Sequence, residues 1–136
     1  DPKGNTKLVN LYLNQRTVGT VVVLDLKGRE RFRGVTIELH RAVKSLLEEG
    51  RVQILLNLSG VSHMDSGGLG ELLSCQVSSF KSGGSFKIAH LTEQLEELMV
   101  ITKLGTVFDI YDDEEKALAT FDGPVLRVIE PQPFFM

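Results

Sequence analysis

The clearest pattern in this chain is a continuous apolar run that is followed by a helical stripe. Residues 52–58 read VQILLNL, which is typical of a strand covered on both faces, as in a parallel sheet. From residue 69 onward, apolar side chains recur at helical spacing and predict one buried helix face: Leu69, Leu72, Leu73, Val77 and Phe80. The sequence therefore predicts a buried central strand, a short polar turn and a helix over residues 66–82.

Shorter runs of the same two kinds divide the rest of the chain. Alternating or β-branched runs predict strands at 8–13, 20–26, 85–91, 107–111 and 125–129, with a turn at 16–19. Helical spacing predicts helices at 35–50, 92–104 and 112–121. Gly50 is typical of the position just after a helix, and Asp112 with Glu115 resembles a capping box at the start of the last helix.

The order of these elements predicts the fold class. Helices separate the later strands, so the chain must cross over the sheet between them, and such strands lie parallel. We therefore predict an α/β fold: one domain with a mixed, mostly parallel sheet of about five strands packed with about four helices. The domain is assigned to residues 8–121, between a disordered or non-native N-terminal segment at 1–7 and a C-terminal extension at 122–136.

Composition limits the classes of function. The net charge of −3 argues against ordinary nucleic-acid binding. No apolar stretch has membrane-spanning length and no leader is present, which predicts a cytoplasmic protein. Cys75 is the sole cysteine and is expected to be a small buried apolar group, while His40, His63 and His90 lack ligand spacing. Neither a disulfide nor a metal or other cofactor is predicted.

The turn before the long helix carries the residues of most chemical interest. Asp65, Ser66, Gly67 and Gly68 stand at its start, and two glycines in the first turn of a helix cost about 1 kcal/mol each relative to alanine. A serine hydroxyl is thus presented at a helix N-terminus, just beyond the carboxyl end of the central strand. Asp65 and Ser66 are either capping residues alone or part of a site that another molecule approaches.

Catalytic motifs are missing around Ser66. Met64 stands where the G-x-S-x-G motif of a serine nucleophile has glycine, and no histidine follows in a later strand-end loop. The glycine-rich stretches at 66–70 and 82–85 match neither common phosphate-binding motif. We therefore predict that the protein is not an enzyme, with weak nucleotide binding at the bare helix N-terminus as an alternative.

Phosphorylation fits Ser66 better than catalysis does. A phosphate on this hydroxyl would lie at the positive end of the helix dipole, so the fold should tolerate it. A docked partner should not tolerate it, because about two negative charges would appear beside Asp65 and would need to be desolvated on binding. Modification would then switch an interface without unfolding the domain.

Residues 61–73, VSHMDSGGLGELL, resemble the signature of STAS domains, in particular that of bacterial anti-sigma factor antagonists. Residues 21–28, 52–58 and 104–118 are also similar to the family, so the resemblance covers residues 8–121. It implies a non-catalytic module that binds an anti-sigma factor which is also a serine kinase using ATP. The unphosphorylated antagonist would sequester this factor, phosphorylation would release it, and a phosphatase would reset the antagonist.

The resemblance also implies roles for individual residues. Ser66 follows the aspartate of the motif and is therefore the implied phosphoacceptor. Asp65, Gly67, Gly68 and Leu69 are the implied neighbouring positions for partner binding. Gly67 departs from the family, which commonly has a second serine at this position.

The loop after Gly28 is a second departure. Family members often carry an acidic residue there, whereas Arg29 and Arg31 flank Glu30 in this chain, and we predict both arginines as further partner contacts. A stressosome-like or transport-associated STAS module is the alternative within the family, and a small nucleotide-binding regulatory domain is the alternative from another class. We expect a monomer or weak dimer without nucleic-acid or membrane partners.

Overall fold

The computed structural model describes residues 6–8, 11–28 and 33–121, and all structural statements refer to these ranges. The six strands are β1 (Thr6–Leu8), β2 (Leu11–Val18), β3 (Val21–Gly28), β4 (Gln53–Val61), β5 (Ser85–Ala89) and β6 (Asp109–Tyr111). The four helices are α1 (Arg33–Glu48), α2 (Ser66–Lys81), α3 (Glu93–Thr102) and α4 (Glu114–Ala119). The predicted strand at 125–129, the C-terminal extension and most of the predicted N-terminal segment lie outside the described residues.

The strands form one sheet in which spatial order follows chain order, from β1 to β6. The pairs β1–β2 and β2–β3 are antiparallel, whereas β3–β4, β4–β5 and β5–β6 are parallel. The predicted α/β class, with a mixed and mostly parallel sheet, is confirmed. The additional strand is the three-residue β1 at the edge.

The sheet carries a packed layer on each face. Alternating side chains of β3 separate the two layers, because successive residues of a strand point to opposite faces. Val22, Leu24 and Leu26 face the larger layer, which is formed with α1, α2 and α3. Val21 and Val23 face the smaller layer, which is formed with α4 and with Phe121, two residues after the end of that helix. From Gln53 onward, the apolar run predicted at 52–58 lies in β4 between both layers, as the sequence predicts.

Several predicted boundaries are wrong. The single strand predicted at 8–13 falls on both β1 and β2, and the strand predicted at 85–91 ends at Ala89. The turn predicted at 16–19 is largely strand, because residues 16–18 pair with β3 and only the next two residues turn the chain. The capping box predicted at Asp112 is shifted by one residue: the N-cap of α4 is Asp113, whose Oδ1 accepts a hydrogen bond of 2.8 Å from Lys116 N. Gly50 does follow α1 as predicted, with a φ of 84° that a side chain would disfavour.

The predicted apolar face of α2 is wrong in its C-terminal half. Val77 is 49% exposed and Phe80 is 80% exposed, while Cys75 and Ser79 are fully buried. Residues two apart on a helix point about 200° apart, so burying Cys75 turns Val77 outward. Val77 and Phe80 instead line an open groove of about 460 Å³ beside the starts of β5 and β6.

Among the described helices, none is long and apolar enough to cross a membrane.

Candidate functional site

The candidate site lies at the edge of the sheet where the parallel strands have their carboxyl ends. β4 ends at Val61, and residues 62–65 lead directly into α2. The last residue of β3, Gly28, pairs with Val61 in the parallel register. The loop that follows β3 therefore begins beside the segment that leads to Ser66, as the order of elements predicts.

Asp65 is the N-cap of α2. Its backbone is extended, with φ −93° and ψ −177°, and its Oδ1 accepts a hydrogen bond of 2.9 Å from Gly68 N. This bond satisfies one of the amide groups that have no partner within a helix. A Cβ atom added to Gly67 would lie 3.3 Å from Asp65 Oδ1, so the glycine leaves room for the cap. The helix is thus started by a charged side chain at its positive end.

Ser66 is the first residue of α2 and is exposed, as is Gly67. Gly68 and Leu69 are buried, with Leu69 only 6% exposed within the larger layer. The structure therefore brings the predicted residues together in two roles. The exposed pair is accessible to another molecule, while Leu69 anchors the start of the helix on the sheet.

Two contacts hold the segment before Ser66 in place, one through Met64 and one through Val61. Met64 is buried in the core, which explains why the position two residues before the serine is not glycine. The Thr92 hydroxyl donates a hydrogen bond of 3.0 Å to Val61 O and accepts one from Leu95 N. Thr92 is the N-cap of α3, and because Val61 is 31 residues away in the chain, local sequence does not predict this second contact.

The remaining predicted positions contribute less to the described geometry. His63 is exposed, and its Nδ1 lies 3.3 Å from Ser62 Oγ. Arg29 and Arg31 lie outside the described residues. His90 follows β5 with a φ of 63°, and its Nε2 accepts a hydrogen bond of 3.2 Å from Glu114 N. The prediction that no histidine lies in a later strand-end loop is therefore wrong, and the described hydrogen bond joins this histidine to the start of α4.

The sequence did not predict a polar network around Asp25, on the face of the sheet that carries the smaller layer. Burial would raise the pKa of Asp25, but hydrogen bonds from Arg16, Asn57 and Asn14 outweigh burial and hold this pKa below its usual value. Arg16 also donates a hydrogen bond of 2.9 Å to Glu114, and the bonds to Glu114 and Asp25 raise its pKa. The network joins β2, β3, β4 and α4 and contains no nucleophile.

A sequence model of the STAS domain matches residues 12–117, which is most of the chain. The chain belongs to the STAS domain family. This confirms the resemblance that residues 61–73 carry, and it agrees with the sheet, the four helices and the position of the Asp65–Ser66 turn.

Two bacterial proteins are similar to this STAS domain in sequence. A Thermotoga neapolitana protein, provisionally assigned as an anti-sigma factor antagonist, is 35% identical over 57% of this chain and 68% of its own. The anti-sigma-B factor antagonist of Bacillus subtilis strain 168 is 38% identical over 53% of this chain and 65% of its own. The alignments thus span about two thirds of each relative.

A solved structure extends the likeness to nearly the whole domain. The crystal structure of a Thermotoga maritima protein with the same provisional assignment superposes with a TM-score of 0.71 at 27% identity. The match covers 80% of this chain and 93% of the Thermotoga chain.

Proposed function

We propose that this STAS domain is an anti-sigma factor antagonist, a non-catalytic module that binds its partner through the edge around Ser66. When Ser66 is unphosphorylated, the domain sequesters an anti-sigma factor that is also a serine kinase. Phosphorylation of Ser66 releases that factor, and a phosphatase restores binding. The observation that carries the proposal is the exposed Ser66 hydroxyl at the N-terminus of α2, directly after a capping aspartate.

Because of where Ser66 lies, its phosphorylation should affect binding of a partner much more than the stability of the fold. A phosphate at the first helical residue faces the positive end of the α2 dipole, which offsets part of its repulsion from Asp65. The repulsion that remains acts at the surface, where solvent screens it. A partner covering Ser66 would exclude that solvent and would have to bury the added charge.

The exposed surface around Ser66 and Gly67 fits a protein partner better than a small substrate. Ser66 and Gly67 present a small hydroxyl and bare backbone, so another chain can approach α2 closely. Glu93 is exposed at the start of α3, which Thr92 ties to the same loop. We include Arg29 and Arg31 in the contact surface, because the loop that carries them leaves β3 beside Val61.

The direct test is phosphorylation by a candidate anti-sigma factor kinase encoded in the same genome. With ATP and this kinase, mass spectrometry should find the phosphate on Ser66. Ser66→Ala should abolish labelling, while Ser59→Ala, a matched change at another exposed serine, should not. Labelling that is unchanged in Ser66→Ala would overturn the proposed switch.

Binding provides the second arm of the test. Ser66→Ala should retain the anti-sigma factor, whereas Ser66→Asp should lose most of its affinity, and both variants should unfold at the denaturant concentration of the wild type. Equal binding by both variants would contradict the switch. Saturable micromolar binding of labelled ATP or GTP without a kinase would instead favour a nucleotide-binding regulatory domain.

A further inference from the structure

Three side chains with metal-ligating atoms converge between α1 and α2. His40 lies on α1, while Glu71 and Cys75 lie four residues apart on α2 and therefore share one side of that helix. One ligand atom from each of the three residues lies within 4.8 Å of the other two. His40 Nδ1 and Glu71 Oε1 approach each other to 3.2 Å.

The two polar atoms of this cluster are buried, and their contact with each other has the distance but not the geometry of a hydrogen bond. In the described part of the chain, neither His40 Nδ1 nor Glu71 Oε1 has a hydrogen-bond partner, so their 3.2 Å contact is not a hydrogen bond. Buried nitrogen and oxygen atoms are normally satisfied, and an unsatisfied one costs free energy. A cation placed between them would satisfy both atoms at once.

We propose that His40, Glu71 and Cys75 form a binding site for a zinc-like divalent cation, with three protein ligands and an open fourth position. Nitrogen, carboxylate oxygen and sulfur are the donors that zinc takes in proteins. In a tetrahedral zinc site, nitrogen and oxygen ligands lie about 3.3 Å apart, close to the separation observed here. The sulfur already lies within 4.8 Å of both.

The cluster is closed on the side of the core and open on the side of solvent. Cys75 is fully buried against the core, whereas the side chains of His40 and Glu71 are 39% and 31% exposed. A cation can therefore enter from the surface between α1 and α2 and reach the sulfur last. Its open position then faces solvent, where water completes the coordination.

The charges of the site balance on binding. Without a metal, burial and the negative charge of Glu71 raise the pKa of Cys75 to about 12, so the thiol keeps its proton. On binding, the metal–sulfur bond forms, the S–H bond breaks, and the proton leaves to solvent without any change of oxidation state. One thiolate and one carboxylate then neutralise the divalent cation in this partly buried place.

Cobalt(II) is the probe that reports on the sulfur directly. Titration of the metal-free protein with cobalt(II) should give one saturable site with a sulfur-to-cobalt charge-transfer band in the near ultraviolet. Zinc should displace the cobalt and should raise the midpoint temperature of unfolding, because it binds the folded state. Absence of saturable binding, or binding without the charge-transfer band, would overturn the proposal.

Substitutions identify the ligands without depending on one buried position. Cys75→Ala should remove the charge-transfer band, and Glu71→Gln and His40→Gln, which change partly exposed side chains, should each weaken zinc binding at least about tenfold. His63→Gln is the matched control, because His63 is exposed and outside the cluster, and it should bind zinc as the wild type does. Wild-type affinity in both Glu71→Gln and His40→Gln, or loss of binding in His63→Gln, would refute the assignment.

Discussion

At the scale of single residues, the start of α2 depends on one carboxylate. Asp65→Ala removes the acceptor of the Gly68 amide and should lower the free energy of unfolding by about 0.5–2 kcal/mol. Asp65→Asn keeps an acceptor oxygen and should lose much less. Urea denaturation measures both changes, with the exposed Asp112→Ala as a control that should stay within about 0.5 kcal/mol of wild type. Wild-type stability in Asp65→Ala would show that the cap contributes nothing.

A second carboxylate makes stability depend on acid pH. The pKa of Asp25 is held below its usual value in the folded state, so its contribution is present above the unfolded value of about 3.9 and is lost as pH falls through the lower folded pKa. Asp25→Asn should cost about 1–3 kcal/mol at neutral pH, because it replaces one of the two acceptor oxygens with an amide donor and removes the charge that pairs with Arg16.

The variant should also show a flatter decline of stability between about pH 5 and pH 2 than the wild type. Unfolding free energies measured across this range test the sign of the effect. A parallel decline in both proteins would show that other carboxylates dominate acid unfolding.

The sequence predicts the contacts of single residues where the two contacting residues are close in the chain. The cap at Asp65 and the exposure of Ser66 follow from a turn of a few residues, so the sequence predicts them. Arg16 and Glu114, or His40 and Cys75, meet only after the sheet has formed, and no spacing along the chain predicts such contacts.

At the scale of elements, α2 shows that the spacing of apolar residues can predict a helix without predicting which face is buried. An apolar stripe at helical spacing predicted that Val77 and Phe80 are buried, but the sheet and α1 contact the line through Leu72 and Cys75 instead. Cys75 was expected to be buried but was not counted in the stripe, and Ser79 is polar, yet both lie on the buried face of the helix. The sequence predicted the existence and direction of the helix, and tertiary packing decided its rotation.

Paired substitutions test this rotation. Leu72→Ala should lower the free energy of unfolding by about 2–5 kcal/mol, because it leaves a cavity in the larger layer. Phe80→Ser should change it by less than about 0.5 kcal/mol, since the phenyl ring is mostly exposed. Chemical denaturation of the two variants gives both values. A large loss in Phe80→Ser would mean that α2 buries the face that the stripe predicts.

At the scale of the whole molecule, the two layers on the sheet differ in size. Three helices cover one face, and the short α4 covers the other with a few apolar side chains. The continuous apolar run at 52–58 predicted that both faces of the sheet are covered. Their composition could not predict that a six-residue helix covers the second face, because its packing depends on residues beyond its own end.

Phe121 is the largest fully buried side chain of that smaller layer, and it is 1% exposed. Its ring packs in the cluster of Val21, Val23 and Leu55, and the Nζ atom of the buried Lys87 lies 5.1 Å from the ring centre. Phe121→Ala should therefore lower the free energy of unfolding by about 3–5 kcal/mol.

Phe121→Ala should destabilise some parts of the molecule more than others. Amide hydrogen exchange should increase first in α4, which loses its main apolar contact, while α1 and α2 remain protected on the opposite face until global unfolding. Phe80→Ser serves again as the control, because it removes an exposed ring of the same size from the surface of α2 and should leave exchange in α4 unchanged. If Phe121→Ala raised exchange equally in α2 and α4, the two layers would form a single cooperative unit, and α4 would not be separately held by this ring.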